Sequence, residues 1–412
     1  MKKILATILA LVLALGLTAT VWAADVSGST STKAAKIGGA EDDTLQAAID
    51  AASDGKNTVV ILKDLTESIT IASDKTITID LNGHTLTNTD GQHTITNNGT
   101  LTIIGTGTVD NVSHARAALF NNEGATAVLN GGSFTRSQEN GKTKEDSGNN
   151  SFYTIQNLGT MTINAGVSVT QNGCFSSMVA NGYYNGTGKT NTPTMIINGG
   201  TFSGGLNTVK NDDCGVMTIN GGEFKNFAQA CVQNHNKLTI TNGNFDGSEL
   251  KAIADSTVSV IYNCGCGADN DKGMLSISGG TFSGGKEETY VICDVSTVSE
   301  AYTDISGGTF TKGSATMIGK TASAKVAISG GAFKDAAGKA VDVSAYLAAG
   351  KQQNSDGSVG NKSYYYFPST SDPTTSTTTK GSPKTFDAGV GIYAVTAVLS
   401  VTGMAWTAKN LH

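Results

Sequence analysis

Met217-Thr-Ile-Asn-Gly-Gly-Glu-Phe224 is one copy of a phrase that returns along most of the chain. Met195-Ile-Ile-Asn-Gly-Gly-Thr-Phe202, Leu275-Ser-Ile-Ser-Gly-Gly-Thr-Phe282 and Val326-Ala-Ile-Ser-Gly-Gly-Ala-Phe333 repeat it. The Phe position can be followed through Leu86, Val109, Phe134, Val169, Phe202, Phe224, Phe245, Phe282, Phe310 and Phe333. A second marker, apolar-x-Asn, keeps phase with it and ends at Asn97, Asn121, Asn157, Asn181, Asn211, Asn234 and Asn263. The next copy of that marker is Ile292-Cys-Asp294.

Each unit reads as three short strands. One ends at the Asn, one is the Leu-Thr-Ile stretch, and one holds the Phe. Strict alternation is the period of a strand, with Leu238 and Ile240 on one face and Thr239 on the other. Gly-Gly between strands supplies a corner free of side chains. A repeat of about 22 residues with no helical period excludes a leucine-rich solenoid and predicts an all-β chain, a right-handed parallel β-helix of about ten coils. The Asn column is expected to be an interior ladder and the Phe column a stacked core. Asp43 and Thr44 offer an N-cap to a short helix whose apolar face is Leu45, Ala48, Ile49 and Ala52, closing the front end before Gly55. Val341 to Leu347 breaks the repeat and is expected to close the back.

The organisation follows. Residues 1–23 read as a signal peptide: Lys2 and Lys3, an apolar run, then Val21-Trp-Ala23. Residues 24–42 are expected to be a flexible segment and 43–367 the β-helix with its caps. Residues 368–381 are a Pro/Ser/Thr-rich linker, and 382–412 an anchor containing an apolar run from Ala388 to Ala408 of about the 20 residues that cross a bilayer.

Ser382-Pro-Lys-Thr-Phe386 followed by that run resembles the cell-wall sorting signal of Gram-positive surface proteins, in a degenerate form. Pro383, Lys384 and Thr385 match. Ser382 stands where Leu or Asn is usual, and Phe386 where Gly is usual. The resemblance implies cleavage after Thr385 by a sortase and attachment to peptidoglycan, hence an extracellular, cell-surface protein with membrane contact only through its C-terminal segment. The repeat region resembles the pectate-lyase-like β-helix superfamily, especially its bacterial surface members, and Asp80-Leu-Asn-Gly-His-Thr-Leu86 is similar to their opening phrase. That resemblance implies a fold and no particular activity.

A net charge of −6 argues against nucleic-acid partners. With 15% charged residues, the surface is neutral and hydroxyl-rich, which suits a polysaccharide or host glycan, or an inert stalk. The six cysteines leave their pairing open. A bridge of Cys214 to Cys266 needs a loop to fold over, and a zinc site of Cys264, Cys266 and Cys214 lacks the usual ligand spacing.

Chemistry is sought where the repeat is interrupted. The insertions are Arg136 to Ser151, Gly182 to Pro193 with Tyr183, Tyr184 and Lys189, and Cys264 to Gly273 with Asp269 and Asp271. The last two leave the same edge of the rod, three coils apart. Tyr183, Tyr184 and Lys189 form a candidate glycan loop. Asp269-x-Asp271-x-Gly273 resembles part of a calcium loop, to which Asp212 and Asp213 add ligands if that loop leans over; no other cofactor is expected.

Lyases on such a scaffold need cations and an Arg or Lys base, and hydrolases a pair of carboxylates. Arg116 and Arg136 lie in early coils. His84, His93, His114, His235 and His412 have no carboxylate at a matched spacing. Lys210 with Asp212 and Asp213 is the remaining catalytic candidate. The expectation is therefore a non-catalytic adhesin or glycan-contacting display rod, with a carbohydrate-active enzyme as the alternative and a structural stalk as the third reading.

Overall fold

The computed structural model describes residues 32–363 apart from 54–56, 143–150, 254–255 and 268–269. The signal peptide, the linker, the sorting motif Ser382–Phe386 and the apolar run beyond it lie outside the described residues, as do Gly55 and Asp269. Among the described residues no helix is long and apolar enough to cross a membrane.

The described strands form three long sheets of 13, 11 and 10 strands, which make the right-handed parallel β-helix. Each coil contributes one strand to each sheet, and equivalent positions stack in register: Met195 pairs with Met217, Phe202 with Phe224, and Asn211 with Asn234. The first sheet carries the Leu-Thr-Ile strands, such as Lys237–Ile240. The second carries the Phe strands, such as Asn244–Asp246. The third carries the strands that end in Asn, such as Ala230–Asn234.

One continuous core fills the coils. Leu238 and Ile240 are buried while Thr239 between them faces out. From Phe202 to Phe333 six rings stack one per coil, with centroids 4.6–4.9 Å apart and planes within 7° of parallel. That separation is the strand spacing itself, so sheet geometry sets the ring contact.

The Asn column is a buried ladder with a direction. Each side-chain N–H donates to the next coil's amide oxygen: Asn97 to Asn121, Asn121 to Asn157 and Asn157 to Asn181, each at 2.7 Å. Asn181 donates to Asn211 and Asn211 to Asn234 at 2.9 Å, and Asn234 to Asn263 at 2.7 Å. The run ends on Asp294, whose Oδ2 accepts from Asn263 at 3.1 Å and from Thr303 at 2.7 Å. A last rung need only accept, and a carboxylate does only that.

The Gly-Gly corner needs both residues. A Cβ on Gly307 would lie 2.2 Å from the Ser278 carbonyl oxygen of the coil below, and Gly308 has φ +102°. The first glycine permits close approach of neighbouring coils and the second permits the turn.

Both ends are covered. Helix Leu45–Asp50 buries Leu45, Ala48 and Ile49, and the Thr44 hydroxyl accepts from the Ala47 N–H at 3.1 Å. Within the segment expected to be flexible, residues 24–42, the described strands Ala35–Ile37 and Ala40–Asp42 form an antiparallel hairpin on the first sheet's edge. Ala35 is fully buried and Ile37 nearly so, and burial of those two side chains orders a segment too short to show a repeat. At the back, a 3-10 turn at Ser344–Tyr346 and the hairpin Lys351–Gln353 with Val359–Asn361 follow the last coil. Their pairings with Ile328 and Ala332 occupy strand edges that would otherwise be open.

Candidate functional site

Outward-facing positions of the third sheet form the floor of a groove. Gln156, Ala180, Lys210 and Gln233 stack in successive coils at the residue before the ladder Asn. The turns entering these strands build one wall with Phe152, Tyr153, Phe175, Leu206 and Gln229, and Tyr184 and His235, just past the ladder, stand on the other side. The cavity is about 630 Å³ and crosses four coils, about 15 Å along the rod at roughly 4.8 Å per coil.

The groove is both aromatic and polar. Tyr184 is 81% exposed and Phe175 37%, among the few large apolar side chains that face solvent. The Lys210 ammonium sits 5.4 Å from the Tyr184 ring centre. The Asn207 amide donates to Gln233 at 2.8 Å, Ser177 at 3.1 Å and Gln229 at 3.2 Å. Its own oxygen is buried without a hydrogen-bond partner, and so is the Gln156 amide oxygen. Both oxygens are closed off from the groove, so its accessible polar groups are those of Lys210, Gln229 and Gln233.

The three residues of the expected glycan loop divide. Tyr183 is buried; its hydroxyl donates to Glu123 at 2.6 Å and accepts from Asn191 at 3.2 Å. Burial, then the Glu123 bond, pushes its pKa up to about 12. Lys189 lies 4.6 Å over the Tyr183 ring and 3.4 Å from Glu123. Tyr183 thus pins the loop, and its neighbour Tyr184 alone presents a free ring. Alternation along an extended segment puts the two on opposite sides.

An acidic cluster adjoins the groove. The loop following Asn263 does lean over: Cys214 donates its N–H to the Asn270 carbonyl at 3.0 Å, and the Asn270 side chain donates to the Lys189 carbonyl at 3.3 Å. This brings Asp271 beside coils that precede it. One ligand atom each from Asp212, Asp213 and His235 lies within 4.8 Å of the other two. His235 Nδ1 is 3.6 Å from Asp271 Oδ1, and Lys210 Nζ is 3.0 Å from Asp212 Oδ2. Asp213 accepts from the Gly186 N–H at 2.9 Å, and burial raises its pKa. Asp271 accepts from the Cys266 N–H at 3.1 Å.

Spacing along the chain does not reveal His235 as a partner, because no carboxylate lies near it in sequence. The available signal was phase: Asp212 and His235 each follow a ladder Asn directly, in consecutive coils. Asp271 comes from an insertion whose path no periodicity reports.

Cys264 and Cys266 are joined to each other. Their thiolates are therefore committed, which removes both the Cys214–Cys266 bridge and the zinc site built on the three. Cys214 is a buried free thiol. In the Arg136 to Ser151 insertion, Arg136 and Glu139 are both buried and face each other at 3.5 Å. Burial pushes Glu139 up to about 6 and Arg136 down to about 10, so the pair holds the insertion's base and offers no surface chemistry.

No family model, no curated protein and no solved structure matches the chain. Its β-helix rests on its own sheets, and its activity must be argued from its own residues.

Proposed function

We propose that the protein is a surface-attached, non-catalytic β-helix that binds polysaccharide or host glycan along the third-sheet groove. The observation that carries this reading is the pairing of exposed ring faces with polar side chains along one groove. Tyr184 and Phe175 offer flat apolar surface for a sugar ring, while Lys210, Gln229 and Gln233 line the groove with polar groups for its hydroxyls. A groove crossing four coils suits an extended chain better than a compact metabolite. Surface attachment rests on the resemblance of Ser382–Phe386 and the following apolar run to a sorting signal, with peptidoglycan as the acceptor and Thr385 as the joined residue. The β-helix of the pectate-lyase-like kind fits the same extracellular setting.

Retention on immobilised plant, host and bacterial polysaccharides tests this. The wild-type chain is expected to be retarded by at least one of them, and Tyr184→Ala to weaken retention about tenfold, since an aromatic contact is worth on the order of 1–1.5 kcal/mol. Unchanged retention in Tyr184→Ala and in Phe175→Ala would remove the groove from the account.

A second reading, a carbohydrate-active enzyme, is favoured by Asp212, Asp213 and His235 meeting next to Lys210 at the groove's side. It requires new reducing or unsaturated ends from a bound polysaccharide. Against it, Asp212 and Asp213 are buried beneath the two edge loops, where a glycosidic bond has little access.

A further inference from the structure

We propose that Asp212, Asp213 and His235 form a binding site for a first-row divalent ion of the Zn²⁺ or Mn²⁺ kind, with Asp271 orienting the imidazole. This goes beyond the glycan reading and does not depend on it. Three donors drawn from two consecutive coils already lie within 4.8 Å of one another, as ligands around one small ion do.

Two further observations point to a ligand there. Asp271 is 8% exposed, and its Oδ1 accepts no hydrogen bond although it faces His235 Nδ1 at 3.6 Å. With Nδ1 turned to that carboxylate, Nε2 is left as the ring's lone pair, and it too is buried without a hydrogen-bond partner. The 3.6 Å separation is longer than a hydrogen bond; once it closes, a carboxylate behind a histidine whose other nitrogen is free is the arrangement that fixes tautomer and ring orientation at metal sites.

Charge argues the same way. Three buried carboxylates stand against one ammonium, Lys210, so the cluster gathers more acidic than basic side chains in a buried place. Buried charge of one sign is costly unless compensated, and a divalent cation bound by the carboxylates compensates it. Lys210 is the present partner of Asp212 and also lines the groove, so it has an open side to turn to when an ion takes the carboxylate. An imidazole among two carboxylates favours Zn²⁺ or Mn²⁺ over Ca²⁺, whose preference is for oxygen alone.

The test uses the untagged 412-residue chain, stripped with a chelator and dialysed against Zn²⁺, Mn²⁺ or Ca²⁺ singly, followed by metal analysis. About one Zn²⁺ or Mn²⁺ per chain is expected, with loss in Asp213→Asn and in His235→Gln. Asp271→Asn should keep the ion with affinity lowered 10- to 100-fold. Co²⁺ added to the stripped wild-type chain should give visible absorption of a nitrogen- and oxygen-ligated ion, a readout that needs no variant to fold. Absence of both retained ion and Co²⁺ bands overturns the proposal. So does loss of the ion in Cys214→Ser alone, which would mean a thiolate site. Retention of Ca²⁺ only, indifferent to His235→Gln, would instead support an oxygen-only site around Asp269 and Asp271 and would also overturn it.

Discussion

Replacing Asn211 by Ala removes one rung from the middle of the buried ladder. The amide donates to Asn234 Oδ1 at 2.9 Å, to the Lys237 carbonyl at 3.0 Å and to the Gly215 carbonyl at 3.1 Å, and accepts from Asn181 at 2.9 Å. Not all of these partners are stranded by its loss. The Gly215 carbonyl still accepts from Asn236 at 3.0 Å, and the Asn181 amide still reaches the Pro193 and Val216 carbonyls at 3.3 Å. Asn234 Oδ1 loses its rung donor in a fully buried place. One stranded acceptor at about 1–3 kcal/mol, with about 1 kcal/mol for the weakened remainder, gives a loss of about 3 kcal/mol.

The fold supplies its own control. Asn164, Asn198 and Asn220 make a second, outer ladder, with Asn198 donating to Asn164 at 2.9 Å and accepting from Asn220 at 3.0 Å. Asn198 is exposed, so water replaces both bonds and Asn198→Ala should cost under about 0.5 kcal/mol. Urea unfolding followed by far-ultraviolet circular dichroism measures both. Equal midpoint shifts in the two variants, or a cost below about 1 kcal/mol for Asn211→Ala with an unchanged slope, would refute the account of the interior column as a spine of satisfied buried amides.

Other outcomes follow from the same structure. Asn211→Asp should be worse than Asn211→Ala, because a carboxylate would face the Asn234 oxygen; Asp294→Asn should also cost about 1–3 kcal/mol by the same denaturation, because Oδ2 accepts from Asn263 and Thr303 and Oδ1 from the Ser296 N–H, and an amide NH2 at either place would face a donor. Phe245→Ala removes a ring stacked on both sides and should cost about 3–5 kcal/mol, more than Phe333→Ala at the end of the stack. His93 stacks on Phe120 with centroids 4.5 Å apart, and its Nδ1 accepts from the Ala117 N–H at 2.8 Å. Burial, with help from Arg116, lowers its pKa to about 4 from 6.5. The neutral ring is the folded form, so its stability contribution is complete above pH 6.5 and is lost as pH falls toward 4. After a discount for partial exposure this amounts to about 2 kcal/mol, and the gap between wild type and His93→Gln should shrink by that much between pH 7 and pH 4.

The β-helix was legible because its cause is periodic. Most coils repeat the same alternation, many with the same Gly-Gly corner and the same Asn, and the strand register stacks like on like. The hairpin at Ala35–Asp42 was not legible, since one copy of a short pairing has no period. The candidate site was legible in part. Lys210, Asp212 and Asp213 stand out as departures from the repeat, and the insertions leave the edge at which Asp212, Asp213 and His235 meet. The inward turn of Tyr183 depends on Glu123, 60 residues away, and the approach of Asp271 to His235 depends on a loop crossing earlier coils. Both are long-range contacts between single, unrepeated residues, and no local pattern encodes them.

The central claim is binding without cleavage along the third-sheet groove. The most direct measurement incubates the chain, with Ca²⁺ and Zn²⁺ present, with each polysaccharide that retains it and follows new reducing ends together with absorbance from unsaturated products. The account predicts retention that falls in Tyr184→Ala and no new ends of either kind. New ends from any retained polysaccharide, abolished by Asp213→Asn, would contradict it and make the protein an enzyme.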